Sequence, residues 1–212
     1  MTTRRLATIA AAGAVLFAGV VLLREGCGFG SPSPVNEGVF GEPVICFGDS
    51  LVAGIGAESA DRTYVSWLQR LLGVRVVGFG APGETAADGL ARLGELPQIR
   101  DALVVVTLGG NDVLRQVPWP ETAGALEALF RDLQERGCLV AFTAVEGPLP
   151  GSRGRRYRKL CRRNGVILVP DVLEGILTDP TLKADPIHPN GDGYRLMAER
   201  VAERIDDFVQ PR

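Results

Sequence analysis

Hydrophobic and polar positions divide this chain into three regimes. Residues 6–23 are uncharged and mostly apolar, whereas residues 26–41 show no apolar period and carry Ser31-Pro32-Ser33-Pro34. From Pro43 onward, short apolar runs alternate with segments whose apolar residues recur every three or four positions. The runs at 44–47, 74–79, 103–108, 139–145 and 166–169 read as strands buried on both faces. Between them, Tyr64, Trp67, Leu68, Leu71 and Leu72 form one helical stripe that Gly73 ends. Further helices are predicted over 86–96, from Pro120 to the stop at Gly137, and over 155–163. A last amphipathic helix carries Tyr194, Met197, Val201, Ile205 and Phe208 on its inner face. Strands that alternate with helices imply a parallel sheet covered on both sides. The expected domain is therefore a three-layer α/β/α unit with a five-stranded parallel sheet, over residues 43–212.

The first regime has its own reading. Arg4-Arg5 precedes an 18-residue apolar run that Arg24 closes. As a helix it is about 27 Å long, enough to cross a bilayer core of about 30 Å. Its small residues lie inside the run rather than after it, which fits an uncleaved signal anchor better than a cleaved signal peptide. Either way the domain is expected outside the cytoplasm, anchored to the membrane by residues 6–23, or secreted if residues 1–25 are removed. Residues 26–42 read as a Gly/Ser/Pro linker.

Charge and cysteine content narrow the function classes. The formal net charge is −2, and past residue 25 the chain has 20 basic against 24 acidic side chains, so nucleic acid is not an expected partner. Cys27, Cys46, Cys138 and Cys161 form no CxxC, and there is one histidine, so no metal site is expected. Cys46 and Cys138 lie in strand-like runs and suit small buried hydrophobes, with disulfide pairing left open.

Chemistry concentrates where the strands end. The first ends at Gly48-Asp49-Ser50, the second at Gly80-Ala81-Pro82-Gly83-Glu84-Thr85, and the third at Gly109-Gly110-Asn111-Asp112. In a parallel sheet these ends share one edge, the edge where ligands bind. Ser50 has the character of a nucleophile, and His188 is the one imidazole available to activate it. A glycine amide and the Asn111 side chain suit oxyanion donation. Each glycine turn taken alone is equally a plain turn, Asn-Asp a helix cap, and Asp49 a residue that orders its own loop.

The blocks Gly48-Asp49-Ser50-Leu51, Gly83, Gly109-Gly110-Asn111-Asp112 and Asp185-x-x-His188 resemble, in order, the four blocks of the SGNH (GDSL) hydrolases. The Gly-Glu-Thr and Leu-Gly-Gly-Asn-Asp stretches look most like the arylesterase and lysophospholipase/thioesterase branch. The resemblance implies a flavodoxin-like fold and a cofactor-free ester hydrolase. It also implies Ser50 as nucleophile, His188 as base and Asp185 as its partner. Oxyanion donors would be the N–H groups of Ser50 and Gly83 and the Asn111 side chain. Expected substrates are acyl esters of lysophospholipid, short-chain or aryl type, or thioesters. A carbohydrate O-acetylesterase is the alternative enzyme, and an inactive ligand-binding module the alternative outside enzymes.

Substrate contacts are expected from Leu114 and Trp119 as an apolar wall. Arg153 and Arg155, at the start of a segment with seven basic residues in eleven, are expected to meet anionic groups. The favoured reading of the same segment is a solvated helix face.

Overall fold

The computed structural model describes residues 33–96, 98–146 and 153–210. The chain divides into two compact units, Met1–Gly30 and Ser31–Arg212, and all described residues belong to the second. The predicted N-terminal apolar helix lies outside the described residues. Among those described, no helix is long and apolar enough to cross a membrane.

Five strands, β1 (Val44–Gly48), β2 (Val76–Gly80), β3 (Leu103–Thr107), β4 (Leu139–Thr143) and β5 (Ile167–Val169), form one parallel sheet in the order β2-β1-β3-β4-β5. Alternation along each strand assigns its residues to two cores. Val44, Cys46, Leu103, Val105, Leu139 and Ala141 point to one face. Ile45, Phe47, Val104, Val106, Val140 and Phe142 point to the other. This two-sided burial explains the absence of polar alternation in the strand sequences.

Among the described residues, seven α-helices flank the sheet: α1 (Ser50–Ala53), α2 (Tyr64–Leu72), α3 (Ala86–Leu93), α4 (Gly110–Leu114), α5 (Trp119–Glu135), α6 (Arg153–Asn164) and α7 (Gly191–Ile205). Tyr64 and Leu68 of α2 pack with Tyr194, Met197 and Val201 of α7 on the first face. Leu93, Leu126, Phe130 and Tyr157 bring α3, α5 and α6 to the second. Local chemistry sets the helix ends. Thr63 caps α2, Thr85 and Asp88 form a capping box on α3, and the Asn190 side chain accepts from the amides of Asp192 and Gly193 to open α7.

Several boundaries differ from the sequence reading. The second strand starts at Val76, because the Val74 and Arg75 positions form the turn from Gly73. Phe208 lies in a short 3-10 turn after α7. Residues 33–42, read as linker, are fastened to the domain. The Val35 amide donates to the Gly165 carbonyl (2.8 Å), and the Asn36 side chain donates to the carbonyls of Gln134 (2.8 Å) and Cys138 (3.0 Å). Cys46, Cys138 and Cys161 are buried and unpaired.

The strand order matters for function. The chain leaves β1 for β2 on one side and then crosses to β3 on the other. A crevice opens at the carboxyl ends of strands where the order reverses in this way. Here the crevice lies between Gly48-Asp49-Ser50 and Gly109-Gly110-Asn111.

Candidate active site

Asp49 leaves β1 buried, 2% exposed, and turns the chain into α1. Its Oδ1 accepts the Leu51 amide (3.0 Å), and its own amide donates to the Thr107 carbonyl of β3 (3.1 Å). Ser50 is thus the first residue of a helix, where a backbone N–H has no intrahelical acceptor. Its hydroxyl lies 3.0 Å from Nε2 of His188, which is 138 residues away in sequence.

His188 sits on a loop built to hold it. Its carbonyl accepts the Ala184 amide (3.0 Å), and the Asn190 amide donates to the Leu182 carbonyl (3.0 Å). Gly56, at φ +96°, fits beneath this loop, and a Cβ there would stand 2.5 Å from the Pro189 oxygen and 3.1 Å from the His188 Cβ. Asp185 fixes the ring from the far side. Its Oδ2 is 2.7 Å from Nδ1 of His188, while Oδ1 accepts the amides of Ile187 and His188, both at 2.8 Å. Partial desolvation raises the Asp185 pKa, but these three hydrogen bonds outweigh it and leave the carboxyl more acidic than usual. In the tautomer that carries its proton on Nδ1, toward this carboxylate, the Nε2 lone pair faces the Ser50 hydroxyl.

Two further loops, those of Gly83 and Asn111, are tied to each other through Glu84 and to the end of β1 through Asp49. Gly83 has φ +85°, a conformation that favours glycine, and Nη2 of Arg115 holds its carbonyl (2.7 Å). Among the described residues its N–H donates to no backbone carbonyl. Asn111 Nδ2 donates to the Glu84 carbonyl (2.9 Å) and, at a longer 3.3 Å, to Oδ2 of Asp49. Burial raises the Asp49 pKa to about 6, opposed in part by the Leu51 amide and the nearby His188.

A polar support that the sequence reading missed lies beneath these loops. Arg92 of α3 forms a two-point ion pair with Glu84, at 2.6 and 2.7 Å. Its Nη2 also reaches the carbonyls of Gly48 (3.0 Å) and Phe79 (3.2 Å), and its guanidinium stacks on Phe47 at 4.3 Å. One side chain thus joins the end of β1, the end of β2 and the Gly83–Glu84 turn. Asp112, 1% exposed, does the same for the helices, accepting the Ala86 amide and the Thr122 hydroxyl, each at 2.9 Å.

The crevice continues into a pocket of about 580 Å3. Leu51, Val113, Leu114, Leu173, Leu177 and Ile187 give it apolar walls, and Glu146, Asp171 and Glu174 stand on one side. Desolvation raises the pKa values of Glu146 and Asp171, with repulsion second, from Asp171 on Glu146 and from Glu174 on Asp171.

The structure therefore brings together Ser50, His188, Asp185 and Asn111, with Leu114 in the adjoining wall. It does not bring Trp119, Arg153 or Arg155 to this pocket. The Trp119 ring turns inward and meets Tyr157 edge-on at 5.3 Å. Arg153 lies beside the Tyr157 hydroxyl, and Arg155 faces a different groove. The charged residues that line this pocket, apart from Asp49 and His188, are the carboxylates Glu146, Asp171 and Glu174.

Residues 46–196 match the GDSL-like Lipase/Acylhydrolase family. The chain is 30% identical to the thioesterase 1/protease 1/lysophospholipase L1 of Escherichia coli strain K12, over 79% of this chain and 85% of that protein. It is 32% identical to the esterase TesA of Pseudomonas aeruginosa, over 70% of this chain and 80% of that protein. The crystal structure of TesA superposes with a TM-score of 0.71 at 29% identity, over 79% of this chain and 99% of that one.

Proposed function

The chain belongs to the GDSL-like lipase/acylhydrolase family, and from that premise we propose that it hydrolyses acyl esters through an acyl-enzyme on Ser50. It is a hydrolase of the esterase, thioesterase and lysophospholipase type. The observation that carries the finer reading is the unbroken chain of hydrogen bonds from Ser50 through His188 to Asp185, at 3.0 and 2.7 Å.

In this reading Nε2 of His188 takes the Ser50 proton as Oγ attacks the ester carbonyl. The carbonyl electron pair moves onto oxygen, and the Asp185 carboxylate stabilises the imidazolium. The oxyanion is met by the N–H groups of Ser50 and Gly83 and by Asn111. Glu84 anchors one proton of the Asn111 amide, and the proton directed at Asp49 over 3.3 Å is the one free to turn to the oxyanion. Collapse expels the alcohol with the proton from His188. Water then repeats the sequence on the acyl-enzyme and releases the acid. No step needs a metal or a cofactor.

The apolar walls suit the acyl chain of a lysophospholipid, short-chain or aryl ester, or of a thioester. The carboxylates at the side disfavour acyl chains with anionic ends. This lining favours acyl esters over acetylated glycans. The N-terminal sequence supports an extracytoplasmic address with a membrane anchor. The test is hydrolysis of p-nitrophenyl esters from acetate to palmitate by wild type and Ser50→Ala. Activity that vanishes in the variant is the expected result. Undiminished turnover by Ser50→Ala, or turnover of acetylated glycan alone, overturns the reading.

A further inference from the structure

A second groove, of about 840 Å3, shares no residue with the catalytic pocket. It lies over β5, the edge strand, between α6 and the end of α7. Arg155, Arg158, Lys159 and Arg162 line one wall and Arg204 the other, with no carboxylate among the lining residues. The four positions on α6 follow i, i+3, i+4, i+7, so they form one stripe of the helix. Ile167, Leu168 and Phe208 contribute an apolar floor.

Forces within the molecule account for only part of this stripe. Like charges three and four residues apart weaken a helix. The helix dipole favours cations in the last turn, which suits Arg162, but Arg155 lies in the first turn, where a cation is disfavoured. Basic residues on the other flank of α6 have internal partners, since Arg163 pairs with Glu127 and Arg156 lies 5.7 Å from the Trp119 ring. Arg158 is close enough to Glu146 to lower its pKa. Arg155, Lys159 and Arg162 have no ion pair or side-chain hydrogen bond among the described residues, and Arg204 is fixed to the Leu168 carbonyl (3.2 Å). The surplus is local, because the chain as a whole is at −2.

We propose that this groove docks the protein on an anionic lipid surface. The α6 stripe meets lipid phosphates, and the apolar floor takes up the hydrocarbon next to them. Charge favours any anion, but an apolar floor beneath the cations favours an amphiphile over a soluble one. The inference does not depend on the reaction at Ser50, and because the catalytic pocket shares no lining residue with the groove, docking leaves it free.

The experiment is partitioning of the full chain onto vesicles of phosphatidylcholine alone and onto vesicles with phosphatidylglycerol added. The N-terminal apolar run contributes to both, so the ratio of the two isolates the charge effect. Wild type is expected to prefer the anionic vesicles by about ten-fold or more at low salt, and to lose the preference in ~1 M salt. Combined Arg155→Gln, Arg158→Gln, Lys159→Gln and Arg162→Gln should abolish it. Lys159→Gln alone, the gentler change should the combined variant fold poorly, should lower it about five-fold. A control that neutralises four other exposed arginines, Arg75, Arg100, Arg131 and Arg195, should keep most of it. No preference in wild type, or an equal loss in stripe and control variants, overturns the proposal. Stripe-dependent retention on heparin without lipid preference overturns it too, in favour of a soluble polyanion.

Discussion

The guanidinium of Arg92 lies 3.0 Å from the carbonyl oxygen of Gly48, two residues before Ser50. Through Glu84, the same guanidinium holds the turn whose carbonyl fixes Asn111. The groups proposed to meet the oxyanion, from three separate loops, thus rest on one ion pair that is 21% exposed on the arginine side and 14% on the glutamate side. Arg92→Gln is expected to lower kcat by about ten- to a hundred-fold with little change in KM, below the loss for removal of an oxyanion donor itself. Arg92→Lys keeps the charge but not the two-point geometry and should recover part of it. A change confined to KM in steady-state assays contradicts this positioning role.

Asp185→Asn tests the tautomer. An asparagine oxygen at position 185 can still accept the amides of Ile187 and His188, but its NH2 group then faces Nδ1. The ring is forced to carry its proton on Nε2, toward Ser50, and cannot act as base. The expected loss in kcat is about 10³- to 10⁴-fold with the fold intact. A loss below ten-fold in single-turnover assays contradicts the proposed role of Asp185.

Burial of Asp49 has a consequence for stability. Its pKa is near 6 when folded, against an ordinary value of 3.8. Between about pH 4 and pH 6 the unfolded chain has released this proton while the folded chain retains it. The folded state therefore binds more protons, and the contribution of Asp49 to stability falls as pH rises through this window. Asp49→Asn removes the effect, so its stability relative to wild type should rise by up to about 3 kcal/mol from pH 4 to pH 7. Urea titrations of both proteins across that range measure it. A difference independent of pH contradicts the buried carboxyl.

Gly56→Ala drives a methyl group against the Pro189 carbonyl from a backbone at φ +96°. A destabilisation of about 1–3 kcal/mol is expected, together with lower turnover, because the displaced loop carries His188. Wild-type stability and kcat in the variant show that the loop yields without moving the imidazole.

The three inner strands, β1, β3 and β4, were legible because each is buried on both faces and so carries an uninterrupted apolar run, whereas the edge strand β2, read as buried on both faces, is largely half-buried with Gly78 exposed. The crevice was legible because Ser50, Gly83 and Asn111 each follow such a run. The helices α1 and α4 were not, since four or five residues are too few to show a helical period. Arg153 and Arg155 were placed near the pocket by chain order, after β4. A helix turns each side chain about 100° from the last, and that rotation carries Arg155 to the groove over β5. Trp119 opens α5 half-buried against the core, where Tyr157 offers its ring an edge-on partner. The Arg92 clamp joins residues up to 44 positions apart and leaves no periodic trace. Asp49 and Asp112 were visible as members of their turns, but their burial follows only from packing against β3, α3 and α5.

Covalent trapping addresses the nucleophile itself. Wild type and Ser50→Ala would each be treated with an ethyl fluorophosphonate, followed by mass mapping of the modified peptide and assay of the remaining ester turnover. The expected result is one phosphonyl group on Ser50 of the wild type, loss of turnover in step with labelling, and no label on the folded variant. Turnover that persists in a protein fully labelled at Ser50, or that is lost with the label on another residue, contradicts Ser50 as the nucleophile.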